Sequence, residues 1–534
     1  MSTRRAQVVV LGTGAAGLAA ALAAVVHGAD VTILESADYA GGTTALSGGV
    51  AWVAGSPWAA QNGIDDSPER GLEYLNAMDL GDQDPQLVAS YVRDAVEVLE
   101  SIEASSALRW HSMRFPDYHA ELPGGHPVGR GVEILPVEVE PDVTARVRAD
   151  PYETRPSTLN EASAGEPGAA ELDRRDRAGV LTRGRGLVAG MLGAALQRGA
   201  RLHTGARAVS LVTSGADVVG VGVEGQRFDG SVVVATGGFE RNQQLVQSFL
   251  RGPLVAPAGP PTNRGDGLIM GMSVGARLGN MSEAWWAPAM RVPGETIDGE
   301  PFFRILFTDC AQPGGILVDS RGERFVNEAT NYNDLGRAFH RFDAARFAFT
   351  ATRSWLIFDA ARRAGRAFVG DTVWTLDANA SPTAAPTALC DPPWMIRRDR
   401  LEDLADAISV APEALRVTVD RFNSAAAAGL DPDFGRGDFI YDRFSQGGAP
   451  LRPFGDPPYF AIGVLPGSLG TKGGLKTDDA GRVLCAASAD TIQGLYAAGN
   501  AAANPFGCGY PGPGATIGPA LVFGWRAGRA AAGA

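Results

Sequence analysis

The sequence has few histidines, no paired cysteine motif and no surplus of positive charge. Its 534 residues include six His and four Cys, and 47 Lys+Arg against 60 Asp+Glu give a formal net charge of −13. Cys310, Cys390, Cys485 and Cys508 form no C-x-x-C pair. No zinc site or dithiol motif is therefore indicated, and no metal is expected. Four scattered thiols in so long a chain fit a reducing compartment, so a cytoplasmic location is expected. Without a basic surplus to neutralise phosphates, nucleic acid is not expected as a partner. No run of eighteen apolar residues stands outside the Ala-rich segment near the start, so no integral membrane segment is expected. That early segment is not read as a signal peptide, because glycines at motif spacing interrupt it.

What is present is glycine, 69 residues of it, in a chain that is 45% hydrophobic and 20% charged. That composition suits a globular enzyme of more than one domain, with many sharp turns. Gln7 to Leu11 is a β-branched run expected to be a buried parallel strand. Gly12-Thr13-Gly14-Ala15-Ala16-Gly17 follows, then an Ala- and Leu-rich helix to His27, a stop at Gly28, a second strand from Asp30 to Leu34, and Glu35. A G-x-G-x-x-G in this βαβ setting, with an acid about twenty residues on, is a strong dinucleotide signal. Gly12 allows the turn, and Gly14 lets a pyrophosphate approach the helix N-terminus. Gly17 brings helix and strand together, and Glu35 can accept from ribose hydroxyls.

A second glycine loop, Gly41-Gly42-Thr43-Thr44-Ala45-Leu46-Ser47-Gly48-Gly49, suits the longer flavin dinucleotide better than a nicotinamide. Ala498-Gly499-Asn500 closes a later strand and offers a third contact. Through these segments the chain resembles the flavoprotein superfamily of fumarate reductases, succinate dehydrogenases and ketosteroid dehydrogenases. The resemblance implies a wider FAD-binding set. Beyond the residues above it adds Ala15, Ala16, Ser36, Thr43, Thr44, Ser47, Gly48, Gly49, Ala208, Val209, Ala235, Thr236 and Gly237. Near the C-terminus it adds Gly499, Asn500, Gly514, Ala515, Thr516 and Ile517. Some members attach FAD to a histidine in the second loop. The matching position here is Gly42, so FAD is expected to be non-covalent.

The C-terminal run Gly509-Tyr510-Pro511-Gly512-Pro513-Gly514-Ala515-Thr516-Ile517-Gly518-Pro519-Ala520 points to the reaction. A phenol O–H and a backbone N–H aimed at one point can hold a ketone oxygen as it gains negative charge. Fumarate reductases need Arg and His to clamp a dicarboxylate, and this loop has neither. With Phe115-Pro116-Asp117-Tyr118, Glu121 to Gly125, and Arg324-Phe325-Val326-Asn327-Glu328 before Tyr332, the chain is similar to 3-ketosteroid Δ1-dehydrogenases. The resemblance implies that Tyr510 and the Gly514 N–H polarise the ketone. Tyr332 would then take the α proton, with Tyr118 assisting it. It departs from relatives at Trp525 and Gly509, both of which could reshape the pocket.

The expected fold is α/β: a Rossmann-like FAD-binding domain with an inserted smaller α+β substrate and catalytic domain. The boundaries are 1–279, 280–455 and a return over 456–534. Arg201 to Leu211 is expected to pair with Val218 to Val223. Residues 117–183 are expected to be long loops with some local structure, and Thr516 to Ala532 a final helix. The expected substrate is a 3-ketosteroid. The alternatives are a smaller cyclic ketone of oxocyclohexane type, or an unsaturated acid handled as by a fumarate reductase. The electron acceptor is expected to be a quinone or dye-like molecule.

Overall fold

Burial explains the opening βαβ unit. In the computed structural model, which describes residues 6–149, 151–152, 154–365, 391–445 and 451–534, Val8 to Leu11 are at most 2% exposed. A strand covered on both faces needs this unbroken apolar run. Gln7–Leu11 lies between Ser231–Val234 and Asp30–Leu34, parallel to both. The six-stranded sheet runs Arg482–Leu484, Thr491–Ala497, Ser231–Val234, Gln7–Leu11, Asp30–Leu34, Arg201–His203. Only the Arg482–Leu484 edge strand is antiparallel to its neighbour.

The Ala-rich helix Ala15–Val26 packs against the final helix Ile517–Ala531 and against Arg183–Gln197. Small residues make the first contact possible. A Cβ at Gly524 would come 2.4 Å from the Ala16 carbonyl oxygen, and one at Gly528 would come 2.0 Å from that of Ala20. The two helices therefore meet backbone to backbone, and the chain's two ends close on one another.

One sequence expectation is corrected. Arg201 to Leu211 is not a single strand. Arg201–His203 joins the main sheet beside Asp30–Leu34, and Ser210–Ser214 pairs with Asp217–Val223. Between them Gly205 turns with φ +64°, and the Gly205 and Ala206 N–H groups donate to Ala37 O and Glu35 O. Residues 117–183 hold the strand Gly131–Ile134 and the short helices Pro141–Thr144, Leu159–Ala164 and Ala169–Ala178. Cys390 lies outside the described residues.

A second sheet has the order Glu300–Ile305, Ala284–Ile297, Tyr459–Thr471, Ser354–Phe358, Gly315–Val318, with two short strands added to Tyr459–Thr471. Its alternation feeds two cores. Leu317, Leu356, Phe358 and Ile462 face one cluster, while Ile316, Val318 and Ile357 face Leu404, Leu415 and Phe422 in the other. Arg324, which opens one of the segments that carry the resemblance, pairs with Glu328 at 2.7 Å and Asp431 at 2.8 Å. Buried Arg436 adds the Gly315, Ala311 and Gln312 carbonyls to this network. The division at residues 279 and 455 stands as a proposal, and Tyr459–Thr471 runs within this second sheet. No helix of the described residues is long and apolar enough to cross a membrane.

Candidate active site

The two glycine loops meet at the head of the first helix. Gly12 has φ +101°, and a Cβ there would lie 2.4 Å from Ala235 O. A Cβ at Gly17 would lie 2.1 Å from Gly12 O. These two glycines are required by the fold itself. Gly14 and Gly42 differ. The nearest atom to a Cβ on Gly14 is Thr44 Oγ1 at 3.5 Å, and a Cβ on Gly42 would find only Gly14 backbone atoms at 3.9 and 4.0 Å. This open cradle between two peptide backbones fits a dinucleotide's phosphates at the helix N-terminus.

The surroundings agree with that fit. Ala15 N–H donates to Thr44 Oγ1 at 2.9 Å, and Gly41 N–H donates to Thr13 Oγ1 at 2.8 Å. Glu35, buried, accepts from Thr13 N–H at 3.1 Å and Ala37 N–H at 2.9 Å. Ser36 O–H reaches the same carboxylate at 3.3 Å. Ala208 and Val209 follow the turn that hydrogen-bonds Glu35 O, with Val209 60% exposed. The Ala235-Thr236-Gly237 turn abuts Gly12, and Thr236 Oγ1 accepts from Gly267 N–H at 3.3 Å. Asn263 Nδ2 ties Thr43 Oγ1 at 2.9 Å to Glu240 at 2.6 Å. Ser47 caps its own turn by donating to Thr44 O at 2.7 Å. Gly48 and Gly49 pack against Leu159 and the Arg183–Gly184 backbone. Gly499, Asn500, Thr516 and Ala520 line one cleft. Ala515 and Ile517 flank Thr516, the residue just before the last helix.

The aromatic half of the site lies beside this cleft. Tyr332 O–H donates to Tyr510 Oη at 2.7 Å, and Tyr510 Oη lies 3.0 Å from Thr516 Oγ1. The Tyr118 ring stands edge-on to Tyr332 at 5.5 Å and to Tyr510 at 5.2 Å. All three are buried. Residues 118, 332 and 510, far apart in the chain, thus form one phenol cluster. Gly514 has φ +95°, and its Cβ would lie 2.5 Å from the Ala51 carbonyl carbon and 2.6 Å from Trp52 N. Its N–H makes no hydrogen bond among the described residues.

Long-range ties hold the cluster in place. Pro511 O accepts from Tyr118 N–H at 2.9 Å and from Tyr74 O–H at 2.7 Å. Tyr74 Oη in turn accepts from His119 N–H at 3.1 Å. Asp117 accepts from Trp52 Nε1 at 2.7 Å, His126 N at 3.0 Å and Arg130 Nη1 at 2.8 Å. Burial raises the Asp117 carboxyl to about 6, against the pull of Arg130. The helix Tyr332–Ala338 starts at a cap in which Asn331 Oδ1 accepts from the Asn333 and Asp334 N–H groups. It lies close on Ala284–Ile297 because Gly336 offers no side chain.

Burial raises the phenols of Tyr118, Tyr332 and Tyr510 above the ordinary tyrosine range. For Tyr510 this preserves the O–H donor. For Tyr332 burial, with Tyr510 beside it, opposes the anion a base requires, and only hydrogen bonding from Tyr118 works the other way. Burial alone would lower His119, but the Asp334 carboxylate at 2.8 Å, together with Glu121 and Asp117, outweighs it and raises the imidazole.

Three neighbours went unread in the sequence. Tyr441 stands 5.0 Å edge-on to Tyr118, Tyr74 bridges the two loops, and Lys472 lies behind Tyr510. None sits in a spaced motif, so only the fold brings them in. Phe307, 47% exposed, stands edge-on to Tyr332 with ring centroids 5.0 Å apart. Trp285 packs on Tyr510, with ring centroids 4.8 Å apart. Trp110 packs on Trp58 at 6.4 Å, and Trp286 on His340 at 4.3 Å.

Comparison with known proteins shows what the chain as a whole is similar to. Residues 7–517 match the FAD binding domain family. The chain is 38% identical to 4-oxocyclohexanecarboxylate 2-dehydrogenase of Sinomonas cyclohexanicum, over 98% of this chain and 92% of that one. It is 31% identical to 3-oxosteroid 1-dehydrogenase of Mycobacterium tuberculosis, over 99% and 98%. The crystal structure of 3-ketosteroid Δ1-dehydrogenase from Sterolibacterium denitrificans in complex with 1,4-androstadiene-3,17-dione superposes with a TM-score of 0.88. Its identity is 33%, and the match covers 99% of this chain and 100% of that one.

Proposed function

The chain belongs to the FAD binding domain family and is an FAD-dependent dehydrogenase acting on CH–CH groups, and from that premise we propose that it desaturates an apolar cyclic 3-ketone of steroid type. The observation that carries this reading is the Tyr332–Tyr510–Thr516 hydroxyl chain, followed four residues after Tyr510 by a Gly514 N–H that makes no hydrogen bond among the described residues. Two donors converging on a ketone oxygen stabilise the enolate that forms when the α proton leaves. Tyr510 and Gly514 fill that role. Tyr332 takes the α proton, and Tyr118 favours the Tyr332 anion. When bound, FAD supplies the acceptor for the hydride that departs from the β carbon. Gly12, Gly14, Glu35, Gly42 and Thr44 would hold it. The packed aromatic walls exclude water, which strengthens every polar contact on the oxygen. The acceptor that later takes the electrons is proposed to be a quinone or dye-like molecule.

A second reading keeps the chemistry and shrinks the ring to an oxocyclohexane. It is supported by the 38% identical relative and by Tyr441, whose buried ring takes up space against Tyr118. Anaerobic titration of the FAD-loaded protein separates the two. Bleaching of flavin absorbance by a 3-ketosteroid supports the first, and bleaching by a substituted cyclohexanone alone supports the second. Oxidation of a reduced dye by fumarate, with no bleaching by either ketone, overturns both in favour of the unsaturated-acid reaction.

A further inference from the structure

Lys472 is fully buried, and its ammonium forms no ion pair among the described residues. It donates to Cys508 O at 2.7 Å and Gly509 O at 2.9 Å, the two carbonyls just before Tyr510. Its Nζ lies 4.4 Å from the Trp285 ring centroid and 5.9 Å from that of Tyr510. Arg337 reaches the same Cys508 carbonyl at 3.5 Å. The nearest acids are engaged elsewhere. Asp334 holds His119 at 2.8 Å, and Glu283 accepts from Trp286 Nε1 at 3.3 Å and faces Arg251 at 3.8 Å. Two cationic side chains therefore meet at the carbonyls that precede Tyr510. Burying an ammonium without a carboxylate partner is unfavourable, and two carbonyls and an aromatic face offset only part of that.

Resting on the cyclic-ketone reading, we propose that Lys472 is a positioning residue for that reaction. It fixes the Cys508–Gly509 carbonyls so that Tyr510 is aimed at the substrate, and its charge favours negative charge on the oxygen Tyr510 holds. Burial lowers the ammonium to about 8. Glu283, Asp334 and Cys508 act to raise it, and Arg337 to lower it further.

The test uses the full FAD-loaded chain and substituted phenols of graded acidity, whose phenolates mimic an enolate. Binding is read from the shift in flavin absorbance and needs no turnover. Affinity of the unaltered protein is expected to rise with phenol acidity, and this dependence to fade as pH rises through 8. Lys472→Met flattens the dependence and loses about 10- to 100-fold affinity for the most acidic phenol, and Lys472→Arg restores it. Lys472→Gln keeps a donor without charge, and serves if Lys472→Met fails to fold. An unchanged acidity dependence in the uncharged variants overturns the proposal. A protein that shows the expected phenol series but oxidises no cyclic ketone overturns the reaction reading and leaves the charge effect established.

Discussion

Removing a single oxygen from Tyr510 separates catalysis from architecture. In Tyr510→Phe the ring keeps its contacts with Trp285, Tyr118 and Tyr332. What disappears is the acceptor for Tyr332 O–H and the partner of Thr516. Two neutral hydrogen bonds, each contributing about 1 kcal/mol, set the loss of fold stability at about 2 kcal/mol. The loss in the reaction is larger. One donor to a developing oxyanion contributes roughly 3–4 kcal/mol, so kcat should fall about 10²- to 10³-fold. The assay is anaerobic single-turnover bleaching with a saturating cyclic ketone, normalised to bound flavin, beside thermal unfolding of both proteins. A slow variant that unfolds close to the parent and holds a full complement of FAD is expected. Full single-turnover rate in Tyr510→Phe refutes the carbonyl-polarising role.

Other outcomes follow from the same geometry. Gly514→Ala places a Cβ 2.5 Å from Ala51 backbone at φ +95°, so it should lower both the unfolding temperature and the rate, as calorimetry and turnover will show; an unaffected protein contradicts the placement of this turn. Gly14→Ala has room in the chain and should fold normally while losing at least about tenfold in FAD affinity, whereas Gly12→Ala should fail to fold well; flavin titration and circular dichroism distinguish them. Because burial and Tyr510 raise the Tyr332 phenol while the Tyr118 hydrogen bond lowers it, kcat should rise with pH up to about 8, where Lys472 keeps its charge, and Tyr118→Phe should move that rise to higher pH with a smaller loss of maximal rate. Acid precipitation should leave the flavin in the supernatant; a yellow pellet contradicts non-covalent binding.

The dinucleotide end of the protein was legible because its chemistry is local. Gly12, Gly14, Gly17 and Glu35 sit within one βαβ unit; Gly12 and Gly17 report backbone constraints and Gly14 an open approach to the helix N-terminus, and sequence spacing reveals all three. Tyr118, Tyr332 and Tyr510 were legible only through the motifs around them, since no periodicity joins three residues so far apart. Tyr441 and Lys472 carried no such motif. A tyrosine in Phe439-Ile440-Tyr441 reads as surface or core equally well, and a lysine in Gly470-Thr471-Lys472-Gly473 reads as a solvated turn. Only the placement of Tyr459–Thr471 beside Ala284–Ile297 shows that the next residue, Lys472, turns inward. The split of Arg201–Leu211 was illegible for a related reason. The turn at Gly205 is held by hydrogen bonds to residues 35 and 37, not by its own sequence.

The most direct measurement is a crystal structure of the FAD-loaded protein with a bound cyclic ketone. The expected result places the ketone oxygen within about 3 Å of both Tyr510 Oη and Gly514 N, with the α carbon beside Tyr332. A ketone oxygen held by any other pair of donors, with Tyr510 still bonded only to Tyr332 and Thr516, contradicts the proposed reaction.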